Sequence, residues 1–250
     1  MPEPLLETRG LTKRFGGLVA TDAAALSVES GELHAVIGPN GAGKTTLIAE
    51  LSGELLPDAG SIRFAGRDIT RLGMPRRVAL GIARSFQVTS VFDDLTALDN
   101  VALAVQAHAG HSFRLWRDAR RDARLSGPAR AMLAEVAIGE RADVPAATLS
   151  HGEKRALEVA MVLATQPRLL LLDEPMAGMG PEDAARMVAL LARLKGRVTI
   201  VLVEHDMDAV FALADRISVL VYGRVIATGR PAAIRADDAV RRAYLGDPAA

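Results

Sequence analysis

The sequence predicts an α/β protein with a mostly parallel core sheet, an N-terminal antiparallel β subdomain and a helical subdomain. Short apolar runs suited to buried parallel strands occupy residues 33–38, 168–175 and 198–206, with helical patterns between them. Buried strands that alternate with helices indicate a parallel sheet with helices on both faces. Residues of about 90–165 instead have helical spacing throughout, which predicts the separate helical subdomain.

The first third of the chain mixes antiparallel strands with one strand–loop–helix unit. Residues 4–9 and 24–30 read as strands, and residues 60–69 read as a hairpin built around Ala65-Gly66. A glycine-rich loop follows the first buried run and leads into a helix that is predicted from Lys44 to about Ser52.

Charged and chain-breaking residues organise the rest of the chain. The arginine-rich segment at 114–124 reads as a solvated helix face, and Gly127-Pro128 is predicted to end that helix. Beyond residue 165 the predicted elements are a strand at 168–175, a helix at 181–196, a strand at 198–206, a short helix, a hairpin at 217–229 that turns at Tyr222-Gly223, and a last helix at about 231–245.

Composition and charge exclude several classes of protein. The 250 residues are expected to form a single domain, 1–250, and 50% of them are hydrophobic, which is enough for a folded core. Thirty basic and thirty acidic residues give a net charge of +0, which argues against nucleic acid as a partner. The absence of cysteine excludes disulfides, thiol nucleophiles and cysteine-ligated clusters. Because the apolar runs are too short to cross a membrane and no secretory signal is evident, we expect a cytoplasmic protein.

A phosphate-binding pattern, G-x-x-x-x-G-K-[ST], spans the eight residues GPNGAGKT at 38–45. Glycines let the backbone curl so that several N–H groups point at one anion, and the following helix adds the positive end of its dipole. Lys44 would place its charge on the β- and γ-phosphates, and the Thr45 hydroxyl would face Mg²⁺. The strand before the loop and the helix after it are the context that this motif requires, so the loop predicts nucleotide binding.

A second, acidic element narrows the predicted reaction. The buried strand LLLLDEP ends in Asp173 and Glu174. Because side chains alternate along a strand, the two carboxylates are expected on opposite sides and can serve two tasks. Asp173 would hold Mg²⁺, and Glu174 would orient or deprotonate an attacking water molecule.

Five motifs in a fixed order resemble the ATP-binding-cassette family of ATPases. The phosphate loop is followed by Gln87 in ARSFQ, by LSHGEKR at 149–155, by the pair Asp173-Glu174 and by His205 in VEHD. In that family these positions are the Q-loop glutamine, the signature peptide (usual form LSGGQ), the acidic pair and the switch histidine. The resemblance covers essentially the whole chain and implies a P-loop NTPase fold of the ATP-binding-cassette type.

The resemblance also implies a head-to-tail sandwich in which two cassettes enclose two ATP molecules. The phosphate loop of one cassette and the signature peptide of the other would hold each ATP, and the Ser150 hydroxyl would meet the γ-phosphate. Phe15 is expected to stack on adenine. The expected catalytic residues are Glu174, His205 and Gln87, the expected metal ligands are Thr45, Gln87 and Asp173, and the expected ATP-binding residues are Phe15, Gly38, Pro39, Asn40, Gly41, Ala42, Gly43, Lys44, Thr45, Thr46, Ser150 and Gly152.

Within this family the chain most resembles the ATP-binding subunit of branched-chain amino acid importers. The closer likeness rests on stretches such as TKRFGGLVA at 12–20, GIARSFQ at 81–87, VEHDMDAV at 203–210 and AYLG at 243–246. It implies two separate permease subunits, a second cassette of the same or another chain, an external solute-binding protein, and a position on the inner face of the plasma membrane. Importers of urea, amides or other small solutes, lipopolysaccharide export and soluble non-transport cassettes remain alternatives.

Two positions depart from the family pattern. Glu153 puts a carboxylate where the signature peptide usually has an amide, which weakens the attraction to phosphate unless the side chain turns toward Arg155. Gly180 stands where the family usually has Asp or Asn, so this residue has no side chain to hydrogen-bond across a dimer. From this we hypothesise that one of the two ATP sites is less active if the chain pairs with a different cassette.

Overall fold

The computed structural model describes residues 3–85, 91–109 and 122–242. The chain divides into two compact units that interleave along the sequence. The helical subdomain expected at about 90–165 falls within the second unit, and the expectation of one domain over 1–250 stays a prediction. The first unit comprises Met1–Ile82, Arg168–Glu174 and Leu194–Ala250, and the second comprises Ala83–Pro167 and Pro175–Arg193.

Two sheets contain the strands of the described residues. Their order along the first sheet is β2-β1-β4-β5, and along the second it is β10-β9-β3-β8-β7-β6. The strands are β1 (Leu6–Phe15), β2 (Leu18–Val28), β3 (Leu33–Ile37), β4 (Ala59–Phe64), β5 (Arg67–Asp68), β6 (Ile82–Arg84), β7 (Leu169–Asp173), β8 (Thr199–Val203), β9 (Arg216–Val221) and β10 (Arg224–Gly229).

The first sheet is antiparallel, as the sequence predicts. β1 pairs with β2 from Leu6↔Val28 to Phe15↔Leu18, and it pairs with β4 on its other side. The strand predicted at residues 4–9 therefore extends six residues further, to Phe15, because β2 and β4 supply hydrogen-bonding partners along it. The predicted hairpin turns at Ala65-Gly66, where both φ angles are positive, at 48° and 76°.

The second sheet has a parallel centre. β3 lies between β8 and β9 and runs parallel to both, and β7 runs parallel to β8. Every residue of β3, β7 and β8 is buried, which explains their continuous apolar sequences. Because the strands are parallel, the carboxyl ends of β3, β7, β8 and β9 lie along one edge of the sheet, where ligands bind in open α/β folds.

Helices of the described residues connect many of these strands, and α3, α4 and α5 pack against one another in the second unit. Among the described residues, each helix is too short or too polar to span a bilayer. The helices are α1 (Lys44–Ser52), α2 (Met74–Ala79), α3 (Ala97–Ala109), α4 (Ala123–Glu135), α5 (His151–Ala164), α6 (Pro181–Leu194), α7 (Met207–Leu213), α8 (Pro231–Ala236) and α9 (Asp238–Val240).

The prediction that Gly127-Pro128 ends a helix is wrong. Pro128 lies inside α4 rather than ending a helix, and α4 begins at the cap Asp122. The helix continues through the proline because it buries Leu125, Ala129 and Leu133 against its neighbours, and that packing outweighs the lost hydrogen bond. Most of the segment predicted at 114–124 lies outside the described residues.

The last predicted helix, at about 231–245, is divided into α8 and α9. Asp237 has an extended backbone and its carboxylate accepts hydrogen bonds from the N–H groups of Ala239 and Val240. An aspartate that caps a new helix ends the previous one, which explains the division. Residues beyond 242 lie outside the described part of the chain.

Candidate functional site

The phosphate loop leaves the end of β3 and enters α1, as predicted. Gly43 precedes α1 with φ 101°, and a Cβ atom there would collide with the carbonyl oxygen of Ala20 in β2. A Cβ atom at Gly38 would collide in the same way with the carbonyl oxygen of Leu220 in β9. Glycine is therefore required at both positions because the loop backbone passes directly against two strands.

Lys44 is the first residue of α1, and its ammonium group lies over the loop. Its Nζ atom donates hydrogen bonds to the carbonyl oxygens of Gly38 at 2.7 Å and Pro39 at 3.0 Å. Burial lowers the pKa of Lys44, while the negative charges of Glu174 and Asp173 oppose that shift. The ammonium group thus contacts the phosphate loop and lies within electrostatic range of the acidic pair.

The outer side of the loop is accessible. Asn40, Gly41 and Thr45 are exposed, and Thr46 is half-buried. Backbone N–H groups in the first turn of a helix have no partner within that helix, so the start of α1 can bind an anion. Thr45, whose side chain carries a hydroxyl, is the exposed residue of this first turn.

Asp173 and Glu174 differ sharply in environment. Asp173 is fully buried at the end of β7, opposite Val203 of β8. Glu174 lies beyond the strand with φ 51°, and its N–H donates to the carbonyl oxygen of Val203 at 2.9 Å. Strand alternation therefore does not set the direction of Glu174, contrary to the sequence argument. A left-handed backbone at a non-glycine residue costs about 1 kcal/mol or more, and such strain is typical of functional positions.

His205 is brought close to the Glu174 carboxylate. Its Nδ1 atom lies 3.9 Å from Oε2 of Glu174 and 3.8 Å from Oε2 of Glu204, and the ring is 62% exposed. These separations exceed hydrogen-bond length, so His205 lies beside both carboxylates without a hydrogen bond from its ring to either. Asp206 acts instead as the cap of α7.

Phe15 lies at the end of β1, beside the turn into β2. Its side chain is 46% exposed, so the ring does not belong to the core of the sheet. The Nζ atom of Lys13 lies 5.8 Å from the ring centroid, which is within the range of a cation–π contact. The ring is therefore available for stacking, and the contact with adenine stays a prediction.

In the second unit, Ser150 caps α5 through a reciprocal capping box. The Ser150 hydroxyl accepts from the N–H of Glu153 at 3.2 Å, and the Glu153 carboxylate accepts from the N–H of Ser150 at 2.8 Å. Glu153 turns toward Arg141, at 2.8 Å, and not toward Arg155, which pairs with Glu158. Ser150 is exposed.

Gly152 supports the same helix start. It is buried, and a Cβ atom there would collide with the carboxylate of Asp183. The expected site residue Gln87 lies outside the described residues.

Oxygen donors in the first unit fit Mg²⁺. This ion prefers one or two carboxylates together with hydroxyl, water and phosphate oxygens. The exposed hydroxyl of Thr45 and the buried carboxylate of Asp173 flank Lys44, whose pKa responds to the Asp173 charge. These are the residues that would hold the ion.

Sequence reasoning missed two buried residues that support α1. The Arg77 side chain is fully buried, and its Nη1 atom donates to the carbonyl oxygens of Glu50 at 2.6 Å and Leu51 at 2.9 Å. It thereby satisfies the last carbonyl groups of α1. Glu50 is also fully buried and accepts a hydrogen bond from the Thr21 hydroxyl at 2.9 Å.

The fold and the phosphate loop define a P-loop nucleotide-binding protein. A family model described as ABC transporter matches residues 21–177, and a model described as branched-chain amino acid ATP-binding cassette transporter matches residues 224–250. The chain therefore belongs to the ABC transporter family, as an ATP-binding cassette that hydrolyses ATP. This confirms the family resemblance, the fold class and the ATPase activity that the sequence predicts.

Curated relatives cover the same length. The high-affinity branched-chain amino acid transport ATP-binding protein BraF of Pseudomonas aeruginosa is 39% identical over 99% of this chain and 100% of that protein. LivG of Escherichia coli strain K12, which has the same description, is 36% identical over 99% of this chain and 100% of its own length.

Solved structures of ATP-binding cassettes are similar to this chain over nearly its whole length. An ATP-binding cassette of an ABC transporter in its ADP conformation has a TM-score of 0.85 at 28% identity, and the match covers 98% of this chain and 100% of that one. A nucleotide-free ATP-binding cassette has a TM-score of 0.81 at 29% identity, covering 98% and 96%.

Proposed function

We propose that this cassette is the ATP-hydrolysing subunit of an importer of branched-chain amino acids. The observation that carries the ATPase role is the phosphate loop between β3 and α1, whose Lys44 ammonium contacts the loop and lies within electrostatic range of the Asp173-Glu174 pair. The cargo is supported by the full-length likeness to BraF and LivG and by the match at residues 224–250. The cassette would act with a second cassette, two permease subunits and a solute-binding protein, on the inner face of the membrane.

ATP would bind with its phosphates on the loop and its adenine on Phe15. The backbone N–H groups of Gly41 and of residues 43–46, together with the Lys44 ammonium, would contact the phosphate oxygens. The exposed ring of Phe15 would supply the stacking surface for the base. Thr45 and Asp173 would hold Mg²⁺, which when bound neutralises phosphate charge.

Hydrolysis would be assisted by Glu174 and His205. Glu174 would accept a proton from water while the water oxygen forms a bond to the γ-phosphorus and the bond from that phosphorus to the bridging oxygen breaks, with its electron pair leaving on ADP. His205, 3.9 Å from the Glu174 carboxylate, would orient that carboxylate and contact the γ-phosphate. Lys44 would stabilise the negative charge of the transferred group.

The second unit would close the site of a partner cassette. Ser150 and the first N–H groups of α5 would meet the γ-phosphate that the partner holds. ADP lacks this phosphate, so only ATP would favour the closed pair over the open one. That difference in affinity is what allows ATP to drive a conformational change.

Paired substitutions test the two halves of this proposal. Glu174→Gln should retain ATP affinity within twofold but lower the rate of phosphate release at least 100-fold, because the proton acceptor is lost. Lys44→Ala should instead weaken ATP binding at least tenfold, because charge compensation is lost. Fluorescent ATP-analogue titration and phosphate release measure the two effects.

A matched control for this experiment is Glu182→Gln, at an exposed carboxylate of α6 whose ion-pair partner is Arg186. It should leave both measurements unchanged. Rapid phosphate release by the Glu174→Gln variant would show that this residue is not the base, and unchanged ATP binding by Lys44→Ala would contradict the loop as the phosphate site.

A further inference from the structure

The turn between β9 and β10 holds an aromatic residue in an unfavourable backbone conformation. Tyr222 and Gly223 form a two-residue turn with φ angles of 47° and 78°. Positive φ at both positions is typical of a type I′ turn, which favours Asn, Asp or Gly at the first position. The Tyr222 side chain is 85% exposed, so packing does not compensate for the strain. The turn itself therefore does not explain why an aromatic residue is present.

Hydrogen bonds fix this turn between the phosphate loop and β2. The N–H of Gly223 donates to the carbonyl oxygen of Ala42 at 2.8 Å, and the N–H of Asp22 donates to the carbonyl oxygen of Gly223 at 2.9 Å. Arg224 and Asp22 add an ion pair at 2.7 Å. Because β9 is parallel to β3, the turn lies at the same sheet edge as the phosphate loop. Tyr222 thus presents an exposed ring from a turn that hydrogen bonds hold next to the phosphate loop.

The turn that carries this ring lies beside the stretch of β2 between the phosphate loop and Phe15. Gly43, at the end of the phosphate loop, lies against Ala20 of β2, and two residues before Ala20 the same strand pairs through Leu18 with Phe15. ATP with its phosphates on the loop and its base on Phe15 must run along this stretch of β2. Gly223 lies against the same stretch, because a Cβ atom there would be 2.8 Å from the carbonyl oxygen of Ala20.

We propose that Tyr222 contacts the ribose of bound ATP and forms, with Phe15, the nucleoside-binding part of the site. The ring covers the sugar from the side of the phosphate loop that faces β9. The inference rests on the proposed nucleotide site and adds a residue that the five family motifs do not contain. Its contribution belongs to the nucleoside and not to the phosphates.

Tyr222→Asn separates the function of the ring from the stability of the turn. Asparagine tolerates the left-handed backbone, so the thermal midpoint of the variant should equal or exceed that of the parent. Loss of the ring should weaken ATP binding three- to tenfold. Binding of inorganic tripolyphosphate, which lacks a nucleoside, should not change. Calorimetric titration of the purified full chain with each ligand measures both affinities.

Ala65→Asn is the matched control. Ala65 is followed by Gly66 in another two-residue turn of the first unit, with φ of 48°, at the opposite end of β1 from Phe15. This substitution should change the thermal midpoint in the same direction and leave ATP affinity unchanged. Tyr222→Phe should retain most of the affinity, because it keeps the ring.

Three results would overturn the proposal. Unchanged ATP affinity in Tyr222→Asn would show that the ring makes no contact. Equal losses for ATP and tripolyphosphate would show that the turn acts through the shape of the loop. ATP affinity that is the same in Lys44→Ala as in the parent would contradict the nucleotide site itself, and with it the proposed function. The first two results leave that function intact.

Discussion

The buried carboxyl group of Glu50 is the residue-scale feature with the clearest energetic consequence. Burial raises the pKa of Glu50 to about 7, against opposing contributions from the Thr21 hydrogen bond and the charges of Lys13 and Arg77. Within the described structure its Oε1 atom has neither solvent contact nor a hydrogen-bond partner. A carboxylate is costly in such a place, so the neutral acid is the favoured form in the folded chain below about pH 7.

The raised pKa makes stability depend on pH in a defined direction. The folded chain binds the Glu50 proton more tightly than the unfolded chain, whose glutamate has a pKa of 4.5. The stability associated with Glu50 is therefore fully present below pH 4.5 and declines as pH rises through about 7. Glu50→Gln removes this loss. The substitution should raise the free energy of unfolding by on the order of 2 kcal/mol at pH 9 and by much less at pH 5.

Thermal unfolding at pH 5, 7 and 9 measures this effect. Glu140→Gln, at an exposed carboxylate, is the control and should show no pH-dependent gain. A Glu50→Gln variant that is less stable than the parent at pH 9 would mean that Glu50 is ionised and paired in the folded chain.

Residues of the candidate site differ in how well the sequence predicts them. Spacing alone identifies the phosphate loop, because its chemistry depends on consecutive residues and on the strand and helix at its two ends. Glu50 and Arg77 cannot be found in this way, because their roles arise from burial against α1 by segments distant in sequence. The sequence predicts that Tyr222 lies at a turn, but it does not predict that this turn lies beside the phosphate loop, because that depends on the order of the strands.

At the scale of the element, the start of α5 explains how the chain accommodates a carboxylate in its signature peptide. Hydrogen bonds from the Arg141 guanidinium lower the pKa of Glu153, so the group is ionised at neutral pH. Arg141 also neutralises that charge, 2.8 Å away, near the helix end that would face phosphate. The departure from the family pattern therefore comes with a compensating partner within the same unit.

Removal of Arg141 tests this compensation. Arg141→Ala should lower the steady-state ATPase rate three- to tenfold, because an unneutralised carboxylate then repels the γ-phosphate. Glu153→Gln should restore the rate in the double variant, since the amide oxygen still accepts the Ser150 N–H. Arg130→Ala, which breaks an exposed ion pair elsewhere in the second unit, is the control. A double variant as slow as Arg141→Ala would contradict the electrostatic explanation.

Element types follow from periodicity more reliably than element ends do. The buried strands β3, β7 and β8 are predominantly apolar, which is typical of parallel strands covered on both faces. Ends depend on single residues instead: α4 continues through Pro128 because of its packing, and Asp237 divides the last helix by capping. The short α2 and β6 have too few residues to give a periodic signal.

At the scale of the whole molecule, the order of the motifs identifies the protein family more specifically than any single motif does. A phosphate loop occurs in kinases, GTPases and ATPases, but the signature peptide between the loop and the acidic pair restricts the choice to one family. The family match at residues 21–177 spans these motifs and agrees with that restriction. The motifs concern the nucleotide and not the transported solute, so the sequence of this cassette indicates a cargo only through its likeness to the relatives described above.

Reconstitution tests the cargo and the partners together. The chain, combined in proteoliposomes with the two permease subunits and the solute-binding protein proposed as its partners, should import leucine, isoleucine and valine only when ATP is supplied. Glu174→Gln in this chain should stop uptake while leaving the complex assembled, because assembly does not need hydrolysis. Urea is the control solute and should not accumulate. Uptake of urea without leucine would keep the ATPase assignment and replace the cargo, whereas uptake that is insensitive to Glu174→Gln would assign the energy to the partner cassette.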